Sequence, residues 1–298
     1  MAMAVLLVVA PFLLYPVFLM QALCFALFAC AFNLLIGYAG LLSFGHALFF
    51  GWASYVCAYA AKSWGFSPEL AIFAGTAAAA VLGGVAGFVA IRRQGIYFAM
   101  ITLALAQMMY FFALRAPFTG GEDGIQTVPV HRLFGLVDLS NPLAMYAFVL
   151  VIVLLAFLFI YRIINSPFGE VLTAIRENEP RAVSLGYATD RYKLVAFALS
   201  ATLSGLAGAL KALVLQFASL TDVHWTMSGE VVLMTLLGGL GTVFGPVVGA
   251  FLIVAMQNYL ASFGQWVLVI QGAIFIFCVL VFRRGIVGEL ARALRMKL

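Results

Sequence analysis

Nine polar side chains interrupt long apolar stretches of this sequence: Asn33, Ser43, His46, Thr102, Gln107, Glu230, Thr235, Gln257 and Asn258, with Lys211 nearby in type. Amides, hydroxyls, one imidazole and one carboxylate can replace the water around a small polar solute. In lipid such groups are expensive, so they face a bundle interior or a cavity. Each also has a plainer use as a hydrogen-bond partner between helices. His46 lies between Gly45 and Ala47, where small neighbours admit a backbone or a ligand. Glu230 can meet a substrate ammonium or sit in water at an outer interface. Lys211 can snorkel to the interface or pair with Glu230 or Asp222.

Bond-making chemistry has no matching pattern. The sequence has no GxxxxGK[ST] loop to cradle ATP phosphates, no HExxH and no GxSxG. His46, His131 and His224 are scattered, which argues against a metal cluster. Gly239-Leu240-Gly241 follows no strand, so it is not a dinucleotide loop. Cys24, Cys30, Cys57 and Cys278 lie in apolar runs without CxxC spacing and read as inert thiols.

The elements that must position these groups follow from composition. The 298 residues are 65% hydrophobic and 9% charged, whereas a soluble domain is about 45–50% apolar and about 25% charged. That excludes a water-soluble globular protein and a disordered chain. No charge occurs from Met1 to Ala61, and further charge-free runs cover 70–91, 94–114, 139–161, 194–210 and 231–282. A spanning helix needs about 20 apolar residues, and these runs are too long and continuous for barrel strands. The fold class is therefore an all-α polytopic membrane protein, a bundle of roughly eight to ten transmembrane helices. Divided at Pro, Gly and polar breakers, the expected spans are 3–19, 21–37, 44–61, 69–91, 95–114, 143–161, 194–217, 230–240, 244–262 and 265–282. The eighth is short enough for a half-helix. The start lacks a basic n-region, so the first apolar segment is expected to stay as a span. We read one transmembrane domain over 1–298, with an outer loop at 116–142, an inner loop at 162–193 and an inner tail at 283–298.

Orientation follows from Lys and Arg. With ten spans and an inside N-terminus, the inner segments carry twelve basic residues, including Arg92, Arg93, Arg162, Arg176, Arg181 and Arg191, and the outer ones carry three, Lys62, Arg115 and Arg132. Both termini are expected inside. The net charge of +5 is thereby explained by location and asks for no nucleic acid. Small residues four apart, such as Ala47/Gly51, Gly83/Gly87, Ala201/Gly205 and Ser204/Gly208, predict close helix packing. Two glycine segments, Gly37-Tyr38-Ala39-Gly40 and Gly238-Gly239-Leu240-Gly241, look alike, and each precedes a Phe-Gly pair.

The most informative polar stretch is Ser166–Lys193. Ser166 is placed to cap a helix with Pro167 at its first position. Phe168, Val171, Leu172 and Ile175 fall on one face; Gly169, Glu170, Thr173, Arg176 and Glu177 fall elsewhere. Asn178-Glu179-Pro180 breaks this helix, and a second short one ends at Gly186. The helix either lies on the lipid surface or docks a cytoplasmic protein, and its mixed charge favours a protein.

Five stretches together resemble the permease subunits of ABC importers for branched-chain amino acids, of the LivM type. They are GYAGLLSFGHALFFGWASY (37–55), GIYFAMITLALAQM (95–108), TGGEDGI (119–125), SPFGEVLTAIRENEPRAVSLGYATDRYKL (166–194) and LLGGLGTVFGPVVGA (236–250). The resemblance implies a second homologous permease in a heterodimer, two cytoplasmic ATPase subunits that carry the ATP and Mg, and a periplasmic substrate-binding protein. It implies no cofactor on this chain and a place in the bacterial inner membrane. It maps ATPase coupling onto Phe168, Val171, Leu172, Ile175, Arg176, Glu177, Glu179 and Gly186. Binding-protein contact is expected at Gly120, Gly121, Glu122 and Asp123. The solute path is expected at the partner interface, lined by Ser43, Gly45, His46, Gly51, Thr102, Gln107 and Glu230. Relatives of the family handle urea, other amino acids and small organic acids, and the sequence does not separate these. A stand-alone secondary transporter or channel is the alternative. Such a carrier typically has midplane carboxylates for ion coupling, where this chain offers Glu230, and it has no use for a docking helix.

Overall fold

A computed structural model describes residues 11, 15–130, 132–133, 137–260, 264, 266–281 and 285–293. Most of the expected first span, 3–19, lies outside them. Its last residues open helix α1, Pro16–Asn33, which continues as a π-helix over Leu34–Ala39. Proline at the first helical position starts a helix, so the break falls before Pro16, and Gln21 sits inside α1.

The remaining helices are α2 (His46–Ser63), α3 (Pro68–Ala90), α4 (Ile96–Arg115), α5 (Pro142–Ile164), α6 (Pro167–Glu177), α7 (Glu179–Ser184), α8 (Thr189–Leu215), α9 (Trp225–Gly238), α10 (Gly245–Tyr259), α11 (Trp266–Val281) and α12 (Gly285–Ala293). Five described helical segments are long and apolar enough to cross a membrane. The outer loop contributes a two-residue antiparallel pair, Arg132–Leu133 with Val137–Asp138. Of the expected basic tail, α12 is the described part.

Two boundaries move. α8 starts at Thr189, five residues before the expected 194, and ends where Gln216 turns left-handed at φ 57°. α9 starts at Trp225 rather than 230, because the His224 ring accepts from the Thr226 N–H and caps it. Glu230 is thus inside α9 instead of at its start.

α1 is enclosed by α8, α10 and α5, and α8 runs along α3, α2 and α1. The small-residue pairs set this packing. A β-carbon on Gly208 would fall on the Phe50 carbonyl oxygen, one on Gly205 on Ala79, and one on Gly83 on Ala201. Backbone contact of this kind stands in for the hydrophobic drive that lipid removes. α4 is the least enclosed of the five long spans and turns most of its surface outward.

The connecting segments sort into two ends. One gathers 37–45, the α6–α7 pair, 239–244 and Gly285. The other gathers Lys62, 123–128 and 216–218, joined by the Ile125–Ala218 bridge and by Lys62 Nζ donating to the Gln126 carbonyl at 2.7 Å.

Candidate functional site

Residues 40–46 carry three of the expected path positions, Ser43, Gly45 and His46, and the structure packs them against a fourth, Thr102. α2 begins inside the bundle: His46 is 0% exposed and stands beside Ser200, in the middle of α8. A helix start leaves backbone N–H groups unpaired, and within a membrane each needs an internal partner. Thr102 Oγ1 accepts from the Phe44 N–H at 3.2 Å, Ser43 Oγ from Gly45 at 3.2 Å, and Ser228 Oγ from Ala47 at 2.9 Å. Gly45 presses on α4; a β-carbon there would lie 2.8 Å from the Thr102 carbonyl. Ser43, Gly45, His46 and Thr102 are therefore brought together as a sealed joint. In this structure all four are buried, where a transient cavity at the partner interface was expected.

His46 settles into the hydrogen-bonding role. Ser200 Oγ donates to the Ala31 carbonyl at 2.5 Å, so His46 Nε2, 2.8 Å away, is the donor to Ser200. Phe32, Phe49 and Phe197 pack edge-on around the ring. His46→Leu should lower stability by about 1–3 kcal/mol, the usual loss for breaking a buried hydrogen bond. His46→Gln, which keeps a donor, should cost less. Thermal unfolding in detergent measures both; equal melting temperatures for the two variants would remove the hydrogen bond from the explanation.

Gly51 is buried against the segment 219–224, where a β-carbon would lie 2.7 Å from the Val223 nitrogen. It too packs closely in this structure. The same segment holds a pair that sequence reading left open. Lys211 Nζ contacts Asp222 Oδ1 at 2.7 Å and Oδ2 at 2.6 Å, with the side chains 5% and 3% exposed. Lys211 pairs instead of snorkelling, and it also lies 4.4 Å from the Phe217 ring centre.

Partly exposed polar groups lie elsewhere. Gln107 is half-buried on α4, and one turn on, the Tyr110 ring stacks edge-on with His224 at 5.1 Å. His224 Nδ1 is 2.9 Å from Thr226 Oγ1. Glu230 accepts from Gln257 Nε2 at 3.0 Å. Of the expected path, then, Gln107 and Glu230 keep partly exposed positions. Tyr110, His224 and Thr226 join them here and were not among the expected positions, because aromatic and loop residues near a span end carry no periodic signal. A cavity of about 440 Å³ beside 40–44 is lined by Leu41, Leu42, Phe44, Ile96, Phe98 and Met100 among others. Its walls have no charged side chain, so it does not by itself suit a zwitterion.

At the other end, α6 and α7 form as expected, with two corrections. Ser166 occupies the cap position, but its hydroxyl donates back to the Ile163 carbonyl at 2.6 Å. More important, the apolar face of α6 points into its own bundle. Leu172 is 0% and Ile175 3% exposed, Phe168 stacks on Tyr192, and Val171 is half-buried. That face cannot also enter another protein's cleft. An amphipathic helix covers the nearest apolar surface, and here that surface is the bundle floor. The outward face carries Glu170, Ala174, Glu177 and Arg181, followed by Val183 (54% exposed) and Leu185 (70%). Gly186, at φ +88°, closes α7 with its N–H bonded to Val183 and the Tyr187 N–H to Ala182, a turn that only glycine adopts without strain. Glu179 is occupied by an ion pair with Lys193.

Arg176 leaves this helix toward the bundle. Its guanidinium donates to the Gly37 carbonyl, in the π-helical end of α1. Its side chain covers Gly40, where a β-carbon would lie 2.9 Å from Arg176 Cγ. Asn33, one turn before Gly37, donates to the Thr242 carbonyl at 2.9 Å and accepts from the Gly241 N–H at 3.0 Å. The two similar glycine segments thus touch: a β-carbon on Gly37 would lie 2.8 Å from the Gly241 nitrogen.

In the opposite loop, Gly120, Gly121 and Gly124 all have positive φ, and the Thr119 hydroxyl donates to the Ala113 carbonyl at 2.5 Å. This folded turn presents Glu122 and Asp123 outward, both exposed.

Residues 16–279 match the family described as branched-chain amino acid transport system / permease component. Over 288 aligned residues the chain is 27% identical to the high-affinity branched-chain amino acid transport system permease protein LivM of Escherichia coli (strain K12), covering 89% of this chain and 68% of that protein. It is 29% identical over 190 residues to the probable branched-chain amino acid transport permease protein LivM of Methanocaldococcus jannaschii, covering 60% and 53%. It is 30% identical over 191 residues to the ribose import permease protein RbsC of Bacillus subtilis (strain 168), covering 60% and 58%. No solved structure matches.

Proposed function

The chain belongs to the branched-chain amino acid transport permease family, and from that premise we propose that it is the membrane subunit of an ATP-driven importer for branched-chain amino acids or a related small polar solute. The observation that carries the reading is the family match over 16–279. The coupling-type helix α6, anchored in the bundle floor, supports it. ATP and Mg belong to two partner ATPases on the inner side, and this chain holds no cofactor. A second, homologous permease completes the membrane unit, and a periplasmic binding protein lands on the outer end, meeting Glu122 and Asp123. Basic residues concentrate at the α6–α7 end, so that end faces the cytoplasm, with both termini on the cytoplasmic side of the bacterial inner membrane.

Docking moves to the outward face of α6–α7. Glu177, Arg181, Val183 and Leu185 meet the ATPase, while Leu172 and Ile175 hold the helix on the bundle. The solute passes beside α4 and the start of α9, where Gln107, Tyr110, His224, Thr226 and Glu230 offer the hydrogen bonds that replace its water. The apolar cavity beside 40–44 faces the second permease.

Reconstitution tests both levels. Vesicles holding this chain with its partners should take up labelled leucine, isoleucine or valine only with ATP and binding protein. Val183→Asp with Leu185→Asp should abolish co-purification of the ATPase while the chain still inserts. Uptake without ATP, or full ATPase capture by the double variant, overturns the respective assignment.

A further inference from the structure

The inner ends of α3 and α8 enclose a cavity of about 200 Å³ lined by Gly87, Phe88, Ile91, Arg92, Asp190, Arg191 and Leu194. Among the described residues neither arginine takes part in an ion pair, the two being Lys193–Glu179 and Lys211–Asp222. Arg92 is also held in place, its guanidinium carbon 4.7 Å from the Phe88 ring centre. Stacking covers one face of the planar group and leaves its edge donors free, the geometry that grips an oxyanion in two-point fashion. Asp190 sits in the first turn of α8, where the helix dipole favours a carboxylate. The notch therefore offers two cationic donors and one anionic acceptor around a small volume.

Below it the wall is apolar and faces outward from the bundle. Val81, Val85 and Phe88 form a stripe along α3 at 66%, 62% and 60% exposure, and Gly84 beside them has open space where a β-carbon would be. An acyl chain can lie along that stripe while its headgroup sits in the notch. Basic pockets between helices at this level are phospholipid sites by chemistry.

We propose that this notch binds one phospholipid with an ethanolamine headgroup. The phosphodiester lies between Arg92 and Arg191, and the ammonium donates to Asp190. A choline headgroup has no N–H for Asp190, and a glycerol headgroup has no positive charge to offset it, so both bind more weakly. The assignment is independent of the transport reading.

The test is native mass spectrometry of the full-length chain, purified with whatever subunits accompany it, against ethanolamine, choline and glycerol phospholipids of matched acyl chains. Inorganic phosphate serves as a competitor. One ethanolamine lipid should be retained at least tenfold more strongly than the choline lipid. Arg92→Gln or Arg191→Gln should erase that preference. Asp190→Asn should reverse the order of the ethanolamine and glycerol lipids while retaining a bound lipid. Equal retention of all three lipids, or an Asp190→Asn order unchanged from the parent, overturns the proposal. Displacement of the lipid by inorganic phosphate would assign the notch to the free anion and overturn it as well.

Discussion

Asp222→Asn, with Lys211 left in place, is expected to destabilise the folded bundle by about 3–5 kcal/mol, the range for a buried ion pair that loses one partner. The two side chains are 5% and 3% exposed, so the stranded ammonium has no water to turn to. Asp222 also accepts from the Ser219 N–H at 3.3 Å, so the amide loses part of that contact as well. The pair fixes the segment 216–224 into the bundle, against α2 at Gly51 and before the cap of α9 at His224. Replacing both members by apolar residues of similar volume, Lys211→Met with Asp222→Leu, should recover most of the loss. Two well-packed apolar groups need no compensation. A double-mutant cycle on thermal unfolding in detergent reads the difference. Additive single and double effects would show that the two side chains act independently and would refute the account.

The sequence makes the membrane bundle, the end-to-end charge asymmetry and the α6–α7 pair legible, because each depends on local pattern. Pro68 opens α3 and Gly186 closes α7 by backbone rules that need no tertiary context. Other features are not set by such patterns. The stripe Phe168–Ile175 marks an apolar face, but periodicity does not say which apolar surface it covers. Gly45 and Gly51 are small for close contact, and close contact and cavity ask for the same residue type. The start of α9 rests on a histidine cap, which no composition rule marks as a helix start. Arg176, Asn33 and Gly241 also meet, the last two 208 residues apart in the chain, and only the fold brings them together. The similarity of the two glycine segments is visible in sequence. Their contact through one asparagine is not.

That junction carries the second large effect. Arg176→Gln should leave ATPase assembly intact, keep binding-protein-stimulated hydrolysis within about twofold, and cut uptake at least tenfold, equivalent to about 1.4 kcal/mol of lost coupling. α6 keeps its other anchors in this variant: Leu172 and Ile175 stay buried, Phe168 stays on Tyr192, and Glu179 stays on Lys193. The proposed docking surface therefore persists. What disappears is the side-chain link from α6 to the Gly37 carbonyl, and through Asn33 to Gly241 and Thr242. A π-helical end is easily rearranged, since it holds one residue too many for an α-turn, and such segments recur at functional sites. Arg176 is thus a positioning residue that makes the end of α1 and the 239–242 turn move with α6. Arg176→Lys should be only partly effective, because an ammonium is a compact point charge and lacks the planar fork. Hydrogen exchange gives a reading independent of transport: the amides of Leu41 and 239–242 should exchange faster in Arg176→Gln, while those of α6 hold their protection. Parallel loss of hydrolysis and uptake would instead mean that Arg176 supports docking alone, and unchanged uptake would mean that the junction transmits nothing.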